Sequence, residues 1–166
     1  MPFAARFDTR FIGPVVDNLL AVIERDMAGA LGELGADLPD FVDRQKSRRW
    51  DAQYPFLAVF GSRSRFETGP EGLVNQTHEI LIEIALLGSV AYELTTDLHT
   101  YVAAVDRVVR SASDADMTAG LSTDGFSQPV WDIVGHDYDL VRTARNKNQQ
   151  YVQAATLAVV YTVAED

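Results

Sequence analysis

The chain of 166 residues contains no cysteine. This absence excludes disulfide frameworks, thiolate zinc sites, iron–sulfur clusters and cysteine nucleophiles. Apolar runs stay shorter than the roughly 18 residues that a membrane span requires, and the first residues lack the basic and then apolar layout of a secretory signal. We therefore expect a soluble chain that is not exported and acts inside the cell.

Basic residues are scarce and unevenly placed. The chain has 14 basic and 24 acidic residues, for a net charge of −10. Such a surface repels phosphate backbones and anionic lipids, so neither sequence-specific DNA binding nor membrane attachment is expected. The acidic and basic concentrations either pair between copies of the chain or are two solvated loops of opposite sign. The acidic group consists of Asp114, Asp116, Asp124, Asp132, Asp137 and Asp139. The basic group consists of Arg44, Lys46, Arg48, Arg49, Arg63 and Arg65.

Motifs for catalysis and cofactor binding are missing. A phosphate-binding loop needs a Gly-Lys pair, which the sequence lacks. Residues 61–65 match a serine nucleophile elbow only in their first three positions and lack its closing glycine. The three histidines show no two-ligand spacing on a helix. We predict no catalytic residue, no cofactor site and no metal site, and hence a protein that is not an enzyme.

Two weaker metal hypotheses stay open at the level of sequence. One is a site built across adjacent strands from His78, Glu79 and His136, although such clusters are commonly structural. The other is the polar run 136–139, which has oxygen ligands for a divalent cation but lacks the spacing of a calcium loop. A solvated turn is the alternative interpretation of that run.

Hydrophobic periodicity predicts an α+β fold. Apolar residues at three- and four-residue steps predict helices over 14–34 and 90–111, the second with Ser89 as a candidate cap. Alternating or short apolar runs predict strands over 54–60, 76–87, 130–138 and 151–163. We expect a single domain over residues 1–166, with a mostly antiparallel sheet of about four strands packed by two main helices.

The connections between these elements differ in character. Residues 35–53 show no clean period and are interpreted as a charged connector. Residues 61–72 are rich in turn-forming types and predict a loop or a wide hairpin connection. Residues 111–129 are polar, and a connection of this length is usually functional or mobile. We expect this last segment to become ordered on assembly.

The closing strand is the most prominent feature of the sequence. Residues 151–163 contain no proline, glycine or charge, and apolar side chains recur along them with a period of two. The strand would measure roughly 40 Å, about twice the common length. Because it exceeds the other predicted strands, either part of it contacts another subunit or it is a long central strand that twists.

The order of these elements resembles the tail-terminator and tail-completion (neck) proteins of long-tailed bacteriophages. The resemblance is carried by YPFLAVFG at 54–61, HEILIEI at 78–84, LTTDLHTYVAAV at 94–105 and the closing strand that ends VYTVAE at 160–165. It implies a structural virion protein that joins head and tail, forms a homo-oligomeric ring, commonly a hexamer, and needs no cofactor. The implied partners are other copies, the tail tube protein and the head-connector proteins. The implied location is the virion tail or neck, after assembly in the host cytoplasm.

The resemblance also implies subunit contacts and a lumen. DNA would slide through an acidic ring without specific binding, which suits the negative net charge. The loops 61–72 and 111–129 are candidate contacts between subunits or neighbouring rings. Candidate interface residues are Arg63, Arg65, Glu79, Glu83, Asp114, Asp116, Tyr151 and Tyr161.

Two other functional classes stay open. One is a small ligand- or metal-binding α+β domain in which Glu79, Glu83 and His136 form a pocket beneath the helices. The other is a bacterial protein of a different role that shares only the layout, because a fold does not determine a function.

Overall fold

The computed structural model describes residues 11–47, 53–139 and 150–166. Its strands form one five-stranded sheet in the order β1-β2-β3-β5-β4. Strands β1 and β2 are parallel, and the other neighbours are antiparallel. In chain order the elements are α1 (Ile12–Glu33), β1 (Asp43–Gln45), β2 (Phe56–Thr68), β3 (Val74–Gly88), α2 (Ala91–Ser111), α3 (Asp114–Met117), β4 (Val130–Asp139) and β5 (Tyr151–Ala164).

The predicted α+β class is confirmed, with five strands in place of about four. The additional strand is β1, which lies in the connector that showed no period. Three residues are too few for an alternating pattern to be recognised. Arg48, Arg49 and Trp50 of the same connector lie outside the described residues.

Both long helices follow the predicted apolar stripes. Helix α1 has Pro14 in its first turn and is followed by Gly35 in the left-handed region, at φ 68°. Helix α2 begins at Ala91, and its N-cap is Val90 with no side-chain hydrogen bond, so the predicted Ser89 cap is wrong. Among the described helices, none combines the length and the apolar character that crossing a membrane demands.

The main core lies between the helices and one face of the sheet. Residues Ile80, Ile82 and Ile84 of β3 are fully buried there, beside Leu157 and Val159 of β5. Helices α1 and α2 pack against each other and against this same face. Successive side chains of a strand point to opposite faces. We call the opposite side the open face, and its β3 side chains are Thr77, Glu79, Leu81, Glu83 and Ala85.

Strand β2 is longer than predicted. The predicted strand 54–60 stops before Gly61, but β2 continues to Thr68 after a bulge between Gly61 and Arg63. A Cβ at Gly61 would lie 2.9 Å from Cγ2 of Ile12, so the glycine allows α1 to approach the sheet closely. The hairpin interpretation of residues 61–72 is therefore correct. The turn itself lies after Thr68, at the C-terminal end of that range.

Strand β5 is the long central strand of the sheet. It pairs with β3 along its whole length, from Tyr151 opposite Gly88 to Ala164 opposite Asn75. Its other edge pairs with β4 from Ala154 to Thr162. The central-strand interpretation is confirmed. The expectation that β5 exceeds its partners is wrong for β3, whereas β5 does extend beyond β4 at both ends. The cause is β3, which extends beyond the predicted range 76–87 at both ends.

The segment 111–129 is held by its own chain. It contains α3, whose Met117 is fully buried. The Asn18 amide donates hydrogen bonds to the carbonyl oxygens of Met117 and Ala119, at 2.9 and 2.8 Å. Phe126 forms a β-bridge with Glu165. These contacts do not support the expectation that the segment needs assembly to become ordered.

Candidate assembly surfaces

Two predicted interface arginines line one groove on the open face. The groove has a volume of about 150 Å³ and is lined by Arg63, Arg65, Thr77, Glu79 and Val160. Arg63 lies opposite Glu79, and Arg65 lies opposite Thr77. Because alternate residues of a strand share a face, the two arginines point to the same side at a spacing of roughly 7 Å. We call this surface the arginine groove.

The arginines of the groove form no ion pair within the described chain, although the groove also contains the Glu79 carboxylate. The Glu79 carboxylate accepts a hydrogen bond of 2.6 Å from the Ser62 hydroxyl, and no ion pair joins it to Arg63 in the described residues. Other predicted basic residues are paired: Arg44 with Asp40 at 2.7 Å, and Lys46 with Asp17. Arg63 and Arg65 therefore present positive charge on the open face.

The remaining predicted interface residues lie elsewhere. Glu83 is on the open face, opposite Ala58 of β2. Tyr151 is partly buried against the main core at the start of β5. Tyr161 is fully buried, and its hydroxyl donates a hydrogen bond of 2.6 Å to the Met117 carbonyl. Burial raises the pKa of Tyr161, and its hydroxyl serves the fold of this chain.

The acidic pair on α3 is distant from the groove. Asp114 is exposed at the first position of α3. Asp116 forms an ion pair with Arg25 at 3.1 Å, and the Ser113 hydroxyl accepts a hydrogen bond from the Asp116 amide. The Arg25 guanidinium lowers the pKa of Asp116. The charge of Asp116 is therefore used to attach α3 to α1.

One lateral end of the sheet is an exposed edge strand. Strand β4 pairs with β5 on one side, and no described strand lies on its other side. Val130, Val134 and Tyr138 are 69%, 59% and 47% exposed. Asp137 and Asp139 are exposed and form no ion pair within residues 11–47, 53–139 and 150–166. We call β4 with these side chains the acidic edge.

A polar network attaches the helix side of β4 to α2. His136 Nε2 lies 3.0 Å from Asp106 Oδ1, and Asp106 also pairs with Arg110 at 2.9 Å. Arg110 reaches Asp132 at 3.4 Å. The network holds His136 and Asp132 to the helix layer and leaves Asp137 and Asp139 for other contacts.

The side chains of the metal hypotheses do not converge. Glu79 and Glu83 lie on the open face, whereas His136 contacts Asp106 of α2 on the other side of the sheet. The predicted pocket beneath the helices is therefore wrong. Residues 136–139 belong to β4, so alternate side chains diverge where a turn would gather them. Within the described chain, no three His, Asp or Glu side chains are grouped as metal ligands.

His78 belongs to a buried polar cluster. Its ring nitrogens lie 2.9 Å from the Ser64 hydroxyl and 3.1 Å from the Gln76 side-chain oxygen. The rings of Phe11 and Phe66 pack beside it. The residue is 1% exposed, and burial lowers the pKa of His78. The cluster is a structural element of the core, away from Glu79 and His136.

Comparison with solved structures gives distant neighbours, one of which is described below. No family model and no curated protein matches the sequence. A solved structure described as "Virion of native gene transfer agent (GTA) particle" contains a similar chain, with a TM-score of 0.47 and 12% sequence identity. The match covers 88% of this chain and 91% of that chain. By itself it leaves the function of this chain open.

Sequence reasoning missed the acidic edge as a surface. Asp137 and Asp139 were counted as acidic residues but assigned to the end of a short strand or to a turn. Their spacing of two was the available signal, because it places both carboxylates on one side if the strand continues. Val134 carried no such signal, since its exposure results from a bulge between Ile133 and Gly135.

Proposed function

We propose that this chain is a structural virion protein of a phage-like particle and that its copies assemble with one another. The observation that carries the proposal is a pair of oppositely charged surfaces on one sheet that form no ion pair with each other in the part of the chain that the structure describes. The arginine groove lies on the open face, and the acidic edge is the edge strand β4. Exposed edge strands with apolar side chains mark contacts with further chains.

We further propose the finer role of a tail terminator or neck protein. Support comes from the resemblance of the sequence: segment 54–61 overlaps the start of β2, and segments 78–84 and 94–105 lie in β3 and α2. In this role, copies form a ring, commonly a hexamer, at the end of the tail tube. The ring contacts the tube protein and the head-connector proteins in the virion, after assembly in the host cytoplasm.

The proposed role requires no reaction. The groups that most resemble catalytic residues have structural partners: His78 contacts Ser64 and Gln76, and His136 contacts Asp106. In this proposal the protein acts by shape and by contact between chains, without a cofactor.

The proposed ring also needs a wall that DNA does not bind. The net charge of −10 repels the phosphate backbone. An acidic lumen would let DNA pass without specific contacts. This part of the proposal predicts that the protein alone does not retard duplex DNA at physiological salt in a gel-shift assay.

Sedimentation velocity and negative-stain imaging over a range of protein concentrations test the proposed function. Rings with a central opening, in equilibrium with a smaller species, are the expected result. A chain that sediments as a monomer at every concentration, with no ring in any image, would contradict a self-assembling role.

A further inference from the structure

The arginine groove and the acidic edge carry opposite charges, and Arg63, Arg65, Asp137 and Asp139 form no ion pair among the described residues. We propose that the acidic edge of one copy docks on the arginine groove of the next copy, so that copies join head to tail. The partner is thus a second copy of this chain. The inference rests on the proposed function and identifies the contact through which its ring would close.

These charges cannot meet within one chain. Strands β2 and β4 are separated by β3 and β5, which corresponds to roughly 14 Å across the sheet. Arg63 lies directly opposite Glu79 of β3, whereas Asp137 lies opposite Thr156 of β5, which in turn lies opposite Glu83 of β3. The step from Glu79 to Glu83 adds a separation of roughly 13 Å along the strands. Both distances exceed the screening length of about 8 Å at physiological salt.

The spacing of the charges matches on the two surfaces. Arg63 and Arg65 are two residues apart on one face of β2, and Asp137 and Asp139 are two residues apart on one face of β4. Each pair therefore repeats at roughly 7 Å. Two arginine–carboxylate pairs can form together without rearrangement of either strand, and the planar guanidinium suits such contacts.

The acidic edge has features that oppose pairing with an arbitrary strand edge and favour a basic partner surface. Its bulge at Val134 and its aspartates oppose indiscriminate pairing of one edge with another. The same aspartates favour a basic surface, and the exposed Val134 and Tyr138 add apolar area to the contact.

The charge pattern opposes a two-fold symmetric contact made by β4 alone. In a two-fold contact made by β4, the acidic edge would face a second acidic edge, and like charges would oppose the association. The head-to-tail contact instead places unlike surfaces together. Repetition of such a contact produces a closed ring or an open filament, depending on the rotation at each step.

Reciprocal charge reversal tests the contact. Arg63→Glu with Arg65→Glu makes one variant, and Asp137→Arg with Asp139→Arg makes the other. We expect each double variant alone to self-associate at least about tenfold more weakly than the wild type, measured by sedimentation at low salt. We expect an equimolar mixture of the two, or one chain with all four substitutions, to recover association to within about threefold of the wild type.

Matched controls separate the contact from fold and from net charge. Asp37→Arg with Asp124→Arg changes the net charge as much as the aspartate reversal does, at two exposed loop residues. We expect this variant to associate at least as strongly as the wild type. Thermal unfolding midpoints within about 3 °C of the wild type establish that the variants fold, because the substituted side chains are exposed.

The absence of cysteine allows a second measurement that does not depend on charge. Val134→Cys and Glu67→Cys introduce one thiol on the acidic edge and one beside the arginine groove. A short bismaleimide is expected to produce a ladder of cross-linked species from the chain that carries both thiols. Separate single-cysteine variants are expected to cross-link to each other when mixed.

Each outcome bears on a different claim. Undiminished self-association of both reversal variants overturns this contact and leaves the proposed ring intact. Weakened variants that fail to recover when mixed also overturn the pairing of these two surfaces. A wild-type chain that is monomeric at every concentration overturns the self-assembling function, and this contact with it.

Discussion

Individual polar side chains inside this protein connect segments that are far apart in sequence. The Tyr161 hydroxyl and the Asn18 amide converge on the Met117 carbonyl, at 2.6 and 2.9 Å. The Tyr101 hydroxyl donates to the Pro39 carbonyl, and burial raises the pKa of Tyr101 to about 12. Because a buried polar atom loses its water, the effect of removing one partner depends on whether another partner remains.

Tyr161→Phe is expected to lower the free energy of unfolding by about 1 kcal/mol. The substitution removes one of two donors to the Met117 carbonyl, and Asn18 continues to satisfy that oxygen. Urea unfolding followed by circular dichroism measures the change. Tyr138→Phe is the matched control, since Tyr138 lies on the exposed β4 strand and should tolerate the change. Equal effects of the two substitutions would show that the buried hydrogen bond contributes nothing measurable.

His78 is expected to make the protein less stable as the solution becomes acidic. Burial lowers the pKa of His78 in the folded chain, whereas the unfolded chain binds the proton at a pH of about 6.5. Below that pH the unfolded state binds more protons, so the free energy of unfolding falls as pH decreases towards the folded pKa. Urea unfolding at several values between pH 5 and 8 should show this slope.

His78→Gln tests whether this residue causes the slope. A neutral side chain takes up no proton, so the variant should show a flatter dependence on pH than the wild type, whatever its absolute stability. His99→Gln serves as control, because His99 is exposed on α2 and should leave the slope unchanged. If the free energy of unfolding depends on pH in the same way in the wild type and in His78→Gln, other groups cause the dependence.

Among the secondary-structure elements, β5 and segment 111–129 have the roles least like those expected from sequence. Strand β5 lies between β3 and β4 and contributes the buried residues Leu157 and Val159 to the core. Segment 111–129 packs on α1 and β5 through Met117. Both elements therefore belong to the folded chain first, and any contact with a neighbour uses their outer side chains.

Truncation after Gln150 is expected to prevent folding. The truncated chain loses the partner of both β3 and β4 together with the apolar side chains of β5. Circular dichroism and the absence of a cooperative thermal transition measure the loss. A folded truncated chain that merely fails to assemble would show instead that β5 acts chiefly between subunits.

Asn18→Ala is expected to loosen segment 111–129 more than the rest of the molecule. The substitution removes two hydrogen bonds, to Met117 and to Ala119, which together contribute about 1–2 kcal/mol. Hydrogen exchange should accelerate in the segment while α2 keeps its protection. Asn75→Ala, at an exposed position near the start of β3, is the control. Uniform acceleration over the whole chain would indicate global destabilisation.

At the scale of the whole molecule, charge is separated across the sheet. Arg63 and Arg65 lie on β2, whereas Asp137 and Asp139 lie on the edge strand β4, two strands further across the sheet than β3. Much of the remaining charge is paired locally, as in Arg25 with Asp116 and Arg107 with Glu33. The molecule thus has a polarity that suits contact between unlike surfaces of successive copies.

Self-association is expected to weaken as salt concentration rises. The proposed contact depends on exposed charges, which are screened over about 10 Å at 0.1 M salt and about 3 Å at 1 M. Sedimentation at both salt concentrations should show a lower association constant at the higher one. The Asp37→Arg, Asp124→Arg variant should show a similar trend. Association that is independent of salt would indicate that apolar contacts dominate.

The α+β class, the two long helices and four of the strands were predictable because their signals are local. Three- and four-residue steps identified α1 and α2, and alternation identified β3 and β5. Boundaries were less predictable, as at Gly61, where a glycine suggested a stop but the strand continues through a bulge. The arginine side of the candidate site was predicted by residue, whereas the acidic edge was not, because exposure of β4 depends on its position in the sheet.

The sequence by itself determined which segments become helices and strands, the absence of thiol chemistry and the negative net charge, because these properties depend on neighbouring residues or on composition. Only the tertiary structure decided that β5 is central, that Tyr161 is buried, and which charges remain unpaired. The physical reason is that burial and ion pairing depend on contacts between distant residues, such as Arg25 with Asp116 and Tyr161 with Met117. Those contacts neutralise some of the charges that the sequence displays, whereas Arg63, Arg65, Asp137 and Asp139 form no ion pair among the described residues.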